Sequence, residues 1–185
     1  MQHTLVAIVE NKPGVLNRVA SLFRRRAYNI ESLTVGRTET PGVSRMTIMV
    51  GGDDLAIERL VAYLYKLVNV IQVVDVTHQA SVNRDLVMIK VQAPPETRTH
   101  IMQTVDVFRA RIVDVTNESF IVEATGDEEK IEGLVEVLRP YGIIEMVRTG
   151  IVSMARGPQA CPAQYNNGSE SSTAEAEEPS LVAMA

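Results

Sequence analysis

With 185 residues, 45% of them hydrophobic and 22% charged, the chain has enough apolar material for one ordinary domain or two small ones. Its apolar runs fall well short of the ~20 residues that cross a bilayer, and its N-terminus lacks the basic flank and apolar stretch of a secretory signal. The single cysteine, Cys161, leaves no disulfide framework or Cys-rich metal site, so a cytoplasmic location is expected. The net charge is −5, but all 18 Lys+Arg and 19 of the 23 Asp+Glu fall in residues 1–157, so that part is nearly neutral and lacks the broad basic face of a nucleic-acid binder.

In chain order, alternation and helical spacing predict strands near 3–9, 29–37, 44–50 and 71–77 and helices near 14–26 and 53–67, the order βαββαβ. The first helix carries Val15, Leu16, Val19, Leu22 and Phe23 as its apolar stripe, the second Leu55, Leu60, Leu64 and Leu67. Arg24-Arg25-Arg26 reads as a solvated helix end that complements the negative pole. Gly51-Gly52-Asp53-Asp54 supplies a cap and early acidic residues for the second helix, and Thr38-Glu39-Thr40-Pro41-Gly42 a hairpin turn.

A polar connector over 78–84 separates this unit, 1–77, from a second one, 85–157, where the order repeats: strand 85–92, helix 96–109, strands 110–116 and 119–125, helix 127–139, strand 143–149. Two tandem βαββαβ units define an α+β fold of the ferredoxin-like kind, antiparallel sheets with helices on one face. One face of each sheet is left bare, and dimerisation is the economical cover. Residues 158–185, rich in Ser, Ala, Glu, Pro and Asn, have no apolar periodicity and read as a disordered tail.

The first strand runs into Asn11-Lys12-Pro13-Gly14 and then directly into a helix. Such a turn leaves backbone N–H groups at a positive helix pole, which attracts an anion. Pro13 suits the first helical position and Gly14 a close backbone approach. The same residues also serve as plain strand-to-helix punctuation with no ligand, and from the turn alone both readings stand.

Catalysis by the chain itself finds little material. His3, His78 and His100 are far apart in sequence, no His/Cys/Asp set has nucleophile or metal-ligand spacing, and no phosphate loop or dinucleotide fingerprint is present. Asp53-Asp54 and Asp127-Glu128-Glu129 read as helix N-termini. An RNA-binding sheet would display aromatics on its central strands, where this chain has only Tyr28 and Phe120. Met46, Met49, Met88 and Met146 read as core fillers.

The stretch "NKPGVLNRVASLF" resembles the strand-turn-helix of the ACT domain, a small amino-acid-sensing module. "YNIESLTVGRTETPGVSRMTI" (28–48), "LYKLVNVIQVVDVT" (64–77) and "VRTGIVSMARG" (147–157) resemble, more narrowly, the regulatory small subunit of acetolactate synthase, over residues 1–157. The resemblance implies a non-catalytic partner of a large catalytic subunit, on which thiamine diphosphate, Mg and FAD are expected, with no cofactor or metal in this chain. It implies that the chain raises the activity of that subunit and confers feedback inhibition by valine in branched-chain amino acid biosynthesis. It also implies a homodimer through the ACT domains with valine between protomers. The valine carboxylate would meet the amides of Gly14, Val15 and Leu16, and its polar groups Asn11 and, across the dimer, Asn29, with Ile30 nearby. The alternative is a free-standing ACT regulator of another enzyme; neither reading involves nucleic acid or a membrane.

Overall fold

The computed structural model describes residues 1–158, so the expected tail lies outside the described residues apart from Pro158. The first unit runs β1 (Gln2–Glu10), α1 (Val15–Arg25), β2 (Ile30–Arg37), β3 (Val43–Gly51), α2 (Asp54–Leu64) and β4 (Val70–Asp75). Its sheet has the order β2-β3-β1-β4, antiparallel at each pairing. The odd-numbered residues Leu5, Ala7 and Val9 of β1 pack with Met46, Ile48 and Val50 against the stripe Val15, Val19, Leu22 and Phe23 of α1 and against Ile57, Leu60 and Leu64 of α2. Two expectations fail in detail. Leu16 and Leu55 are about half exposed, because the buried stripe of each helix is narrower than a tally of leucines suggests and Ile57 takes the place given to Leu55.

The second unit repeats the plan with β5 (Ser81–Gln92), α3 (Arg98–Val107), β6 (Arg111–Val115), β7 (Ser119–Gly126), α4 (Glu128–Leu138) and β8 (Ile143–Arg148) in the order β6-β7-β5-β8. Val87, Ile89 and Val91 face Ile101, Val105, Ile131, Leu134 and Leu138 in a separate core. The ferredoxin-like arrangement is therefore present twice. Asp53 and Asp127 cap α2 and α4 as their positions suggest, accepting from the amides of Ala56 and Lys130. Buried Asp85 accepts from Arg148 Nε at 2.8 Å, and Arg148 Nη1 reaches Glu132. Burial pulls the Arg148 guanidinium down, but bonds to Glu132 and Asp85 outweigh it and hold it above its ordinary range.

The connector departs most from expectation. Residues 81–84, read as polar linker, form the first third of β5 and pair with a further strand, β9 (Val152–Ala155). Ser81, Asn83 and Arg84 gave no apolar alternation because this ribbon is held by backbone pairing rather than by a core. The β8–β9 segment then lies on the face of the first sheet that the helices leave bare: Arg45 Nη2 donates to Ser153 O at 2.5 Å and Thr34 Oγ1 to Thr149 O at 3.2 Å. On that face Val6, Ile8, Thr47 and Met49 are buried, so the chain covers part of it within one protomer, where dimerisation was expected to. On the second sheet Met88 is 40% exposed and Val147 51%. Met46 and Met49 are core fillers as expected; Met88 and Met146 are not.

Candidate functional site

The Pro-Gly turn leaves β1 where Asn11 N donates to Gly42 O at 2.7 Å. Gly14, at φ +83°, is the N-cap of α1, a left-handed conformation that explains glycine here. Pro13 thus stands one residue before the cap, not at the first helical position. A side chain at residue 14 would point into open space, with nothing within 4 Å of an added Cβ, and no side chain caps the helix. The Val15 amide leans on Lys12 O at 3.4 Å, and the Arg18 amide returns to Gly14 O at 3.0 Å. The amides of Gly14, Leu16 and Asn17 find no backbone acceptor among the described residues, so three donors stand free at the positive pole of α1.

Beneath the turn is a brace that sequence reading missed. Asn69, 8% exposed, donates its amide to Glu10 and accepts from Arg18 Nη1, while Lys12 Nζ sits 3.1 Å from Glu10. The hydrogen bond from Asn69, then that from Lys12, holds the Glu10 carboxyl below the usual carboxylate range. The network joins the end of β1, the first turn of α1 and the approach to β4. Its members lie 51 and 59 residues apart, so no local pattern reveals it.

Asn11, Gly14, Val15 and Leu16 are thus gathered in one turn; Asn29 and Ile30 are not with them. β1 and β2 run in the same direction on either side of β3, with His3 and Ile30 both opposite Val50 and with Val9 and Arg37 both opposite Ser44. Asn29 therefore lies at the far end of the sheet from the turn, roughly 20 Å away at ~3.3 Å per strand residue. One protomer cannot bring both to a small ligand. The outer edge of β2, which Asn29 immediately precedes, pairs with no other strand among the described residues.

Residues 5–72 match the AHAS small subunit-like ACT domain, and residues 84–157 match the model described as small subunit of acetolactate synthase. The acetolactate synthase small subunit of Mycolicibacterium smegmatis is 52% identical over 157 residues, 85% of this chain and 92% of that one. The acetolactate synthase small subunit of Bacillus subtilis is 48% identical over 162 residues, 86% of this chain and 93% of that one. The crystal structure of the acetolactate synthase small subunit from Thermotoga maritima superposes with a TM-score of 0.80 at 43% identity, covering 85% of this chain and 99% of that one. From the turn, the doubled fold and these matches together, the chain belongs to the acetolactate synthase small-subunit family and carries that family's ACT domain in its first half.

Proposed function

We propose that this chain is the regulatory subunit that binds the thiamine-diphosphate-dependent large subunit of acetolactate synthase in the cytosol, raises its activity and makes it sensitive to valine. The large subunit carries the catalytic groups together with thiamine diphosphate, Mg and FAD. The observation that supports the valine site best is the placement of Asn29. Antiparallel pairing of two β2 edges sets the start of one β2 beside the end of the other, and so brings Asn29 and Ile30 of one protomer toward the Asn11–Leu16 turn of its partner. In that pose the ligand carboxylate takes the Gly14 and Leu16 amides, the Val15 amide contributes if it releases Lys12, and the Asn11 and Asn29 side chains serve the remaining polar groups. A millimolar dissociation constant corresponds to about 4 kcal/mol, within reach of a few charge-assisted hydrogen bonds and one buried isopropyl group. Weak binding suits a sensor of an abundant metabolite.

Acetolactate formation by the cognate large subunit, measured with and without this chain across a valine titration, tests the reading. Activation on addition and loss of that activation with valine are expected; a large subunit indifferent to the chain would refute it. A shared site also requires a dimer. Sedimentation at micromolar concentration should give at least twice the protomer mass, and a monomer in saturating valine rules out the cross-protomer pose. The match to the model described as small subunit of acetolactate synthase ends at residue 157. Truncation after Gly157 should leave the melting temperature, activation and valine response nearly unchanged in side-by-side assays.

A further inference from the structure

Gly150 sits where the two units touch. It lies between β8 and β9, half-buried at φ +84°, and a Cβ added to it would stand 2.5 Å from Ser32 Oγ and 2.9 Å from Thr34 Oγ1. Both oxygens belong to β2, and both distances are closer than a carbon comes to an oxygen unless something shifts. Glycine is required here on two counts, the left-handed backbone and the missing space. One residue earlier, Thr149 O accepts from Thr34 Oγ1 at 3.2 Å. The backbone of Thr149 and Gly150 is thus pressed directly onto the face of β2 that the helices leave bare.

The far side of this contact is also tied down. Thr149 N donates to Leu86 O at 3.0 Å, the Leu86 amide donates to Thr149 Oγ1 at 3.2 Å, and that hydroxyl lies 3.2 Å from Asp85 Oδ1. Asp85 is buried and held by Arg148, which reaches Glu132 in α4. A push on Gly150 therefore meets β5 and α4 of the second unit through satisfied bonds. In the other direction along β2, Ser32 and Thr34 lie two and four residues beyond Ile30, whose neighbour Asn29 is assigned to the ligand across the dimer. β2 takes ligand contact at its start and bears on the second unit at its middle, and close-packed backbone shifts as a body rather than yielding locally.

We propose that the seat of Gly150 on Ser32 and Thr34 is the contact through which valine at the dimer edge acts on the rest of the chain: occupancy shifts β2 against Thr149 and Gly150, and the second unit moves with them. The inference rests on the valine reading of the turn but goes beyond it, since that reading requires no communication between the units. Two quantities are thereby separated. The turn sets how tightly valine binds, and the seat sets how much of its effect reaches the large subunit.

Gly150→Ala tests the seat, together with Thr34→Val, which removes the hydroxyl donor without placing a side chain at a positive φ. Calorimetry of valine binding to each isolated full chain should give a dissociation constant within about twofold of the parent, as for sites that do not touch, and each variant should still activate the cognate large subunit. The fraction of activity that saturating valine removes should fall by about half or more in Gly150→Ala, a loss of coupling on the usual allosteric scale, and by less in Thr34→Val. Adding Ser32→Ala to Gly150→Ala removes the oxygen nearest the new Cβ and should restore part of the inhibition, which a merely destabilised loop would not do. Full valine inhibition in Thr34→Val, or in folded Gly150→Ala, overturns the inference. So does a parallel loss of binding and inhibition, which would make the seat a support of the ligand site and not a link beyond it. A parent chain that binds no valine removes the reading beneath the inference and the inference with it, a failure visible in the parent alone.

Discussion

Replacing Gly14 by Asp is expected to leave the large subunit activated while weakening valine inhibition more than tenfold. The new carboxylate hangs beside the free amides of Gly14 and Leu16 and competes for the donors proposed to hold the ligand carboxylate. Hydrogen bonds to charged groups contribute roughly 1.5–3 kcal/mol each, and each 1.4 kcal/mol is tenfold in affinity, so loss of one contact is enough. The fold should persist. Residue 14 is the left-handed N-cap, where a non-glycine residue costs about 1–2 kcal/mol, with Asp among the better tolerated, and nothing lies within 4 Å to clash with its Cβ. That cost is small against the 5–15 kcal/mol of an ordinary domain. Gly14→Ala shares the backbone strain without the charge and should keep most of the valine response, separating strain from competition. Asn29→Ala should act in the same direction as Asp, but more mildly. Normal valine inhibition in folded, partner-bound Gly14→Asp would show that the turn is ordinary punctuation.

The largest effect on stability is expected from Phe23→Ala. Phe23 is 1% exposed in the core beneath α1 and meets Tyr28 edge-on at 6.4 Å. Tyr28 N donates to Phe23 O, and its hydroxyl donates to Ala56 O in α2 at 2.7 Å. Losing the ring costs about 3–5 kcal/mol of folding free energy, which for a unit of this size lowers the melting temperature by roughly 10 °C or more. Tyr28 leads directly into Asn29 and Ile30, so the same change should shift the valine response to higher concentration at temperatures where the protein remains folded. Phe23→Leu keeps most of the volume and should cost less than about 2 kcal/mol. Calorimetry of the three proteins side by side decides, and an Ala variant melting within a degree or two of the parent would mean that the ring is not part of the core.

The order of elements was legible because each carries its own local signal: a continuous apolar run in β1, three-and-four spacing in α1, and Asp caps at residues 53 and 127. What escaped is what local period does not encode. β9 and the first residues of β5 are strands because they pair with each other and seat on a foreign sheet, and their polar sequence records neither fact. Leu16 looked like core because it adjoins Val15, yet a helix that packs on one sheet buries a narrower arc. At the site, glycine and proline announced the turn, whereas the Glu10–Asn69–Arg18 brace and the seating of Gly150 on Ser32 join residues more than fifty apart and leave no mark in any window of sequence.

β5 is a single strand of twelve residues, about 40 Å long. Its first third is tied to β9 against the first unit, and the rest forms the centre of the other sheet. A joint of this kind resists swivelling, because turning one unit against the other means tearing backbone pairs near Arg84 and Asp85. The two halves are thus geared together as a rigid arm. A shift at the Asn11–Leu16 turn would be carried along β5 to the far sheet rather than being lost in a soft linker.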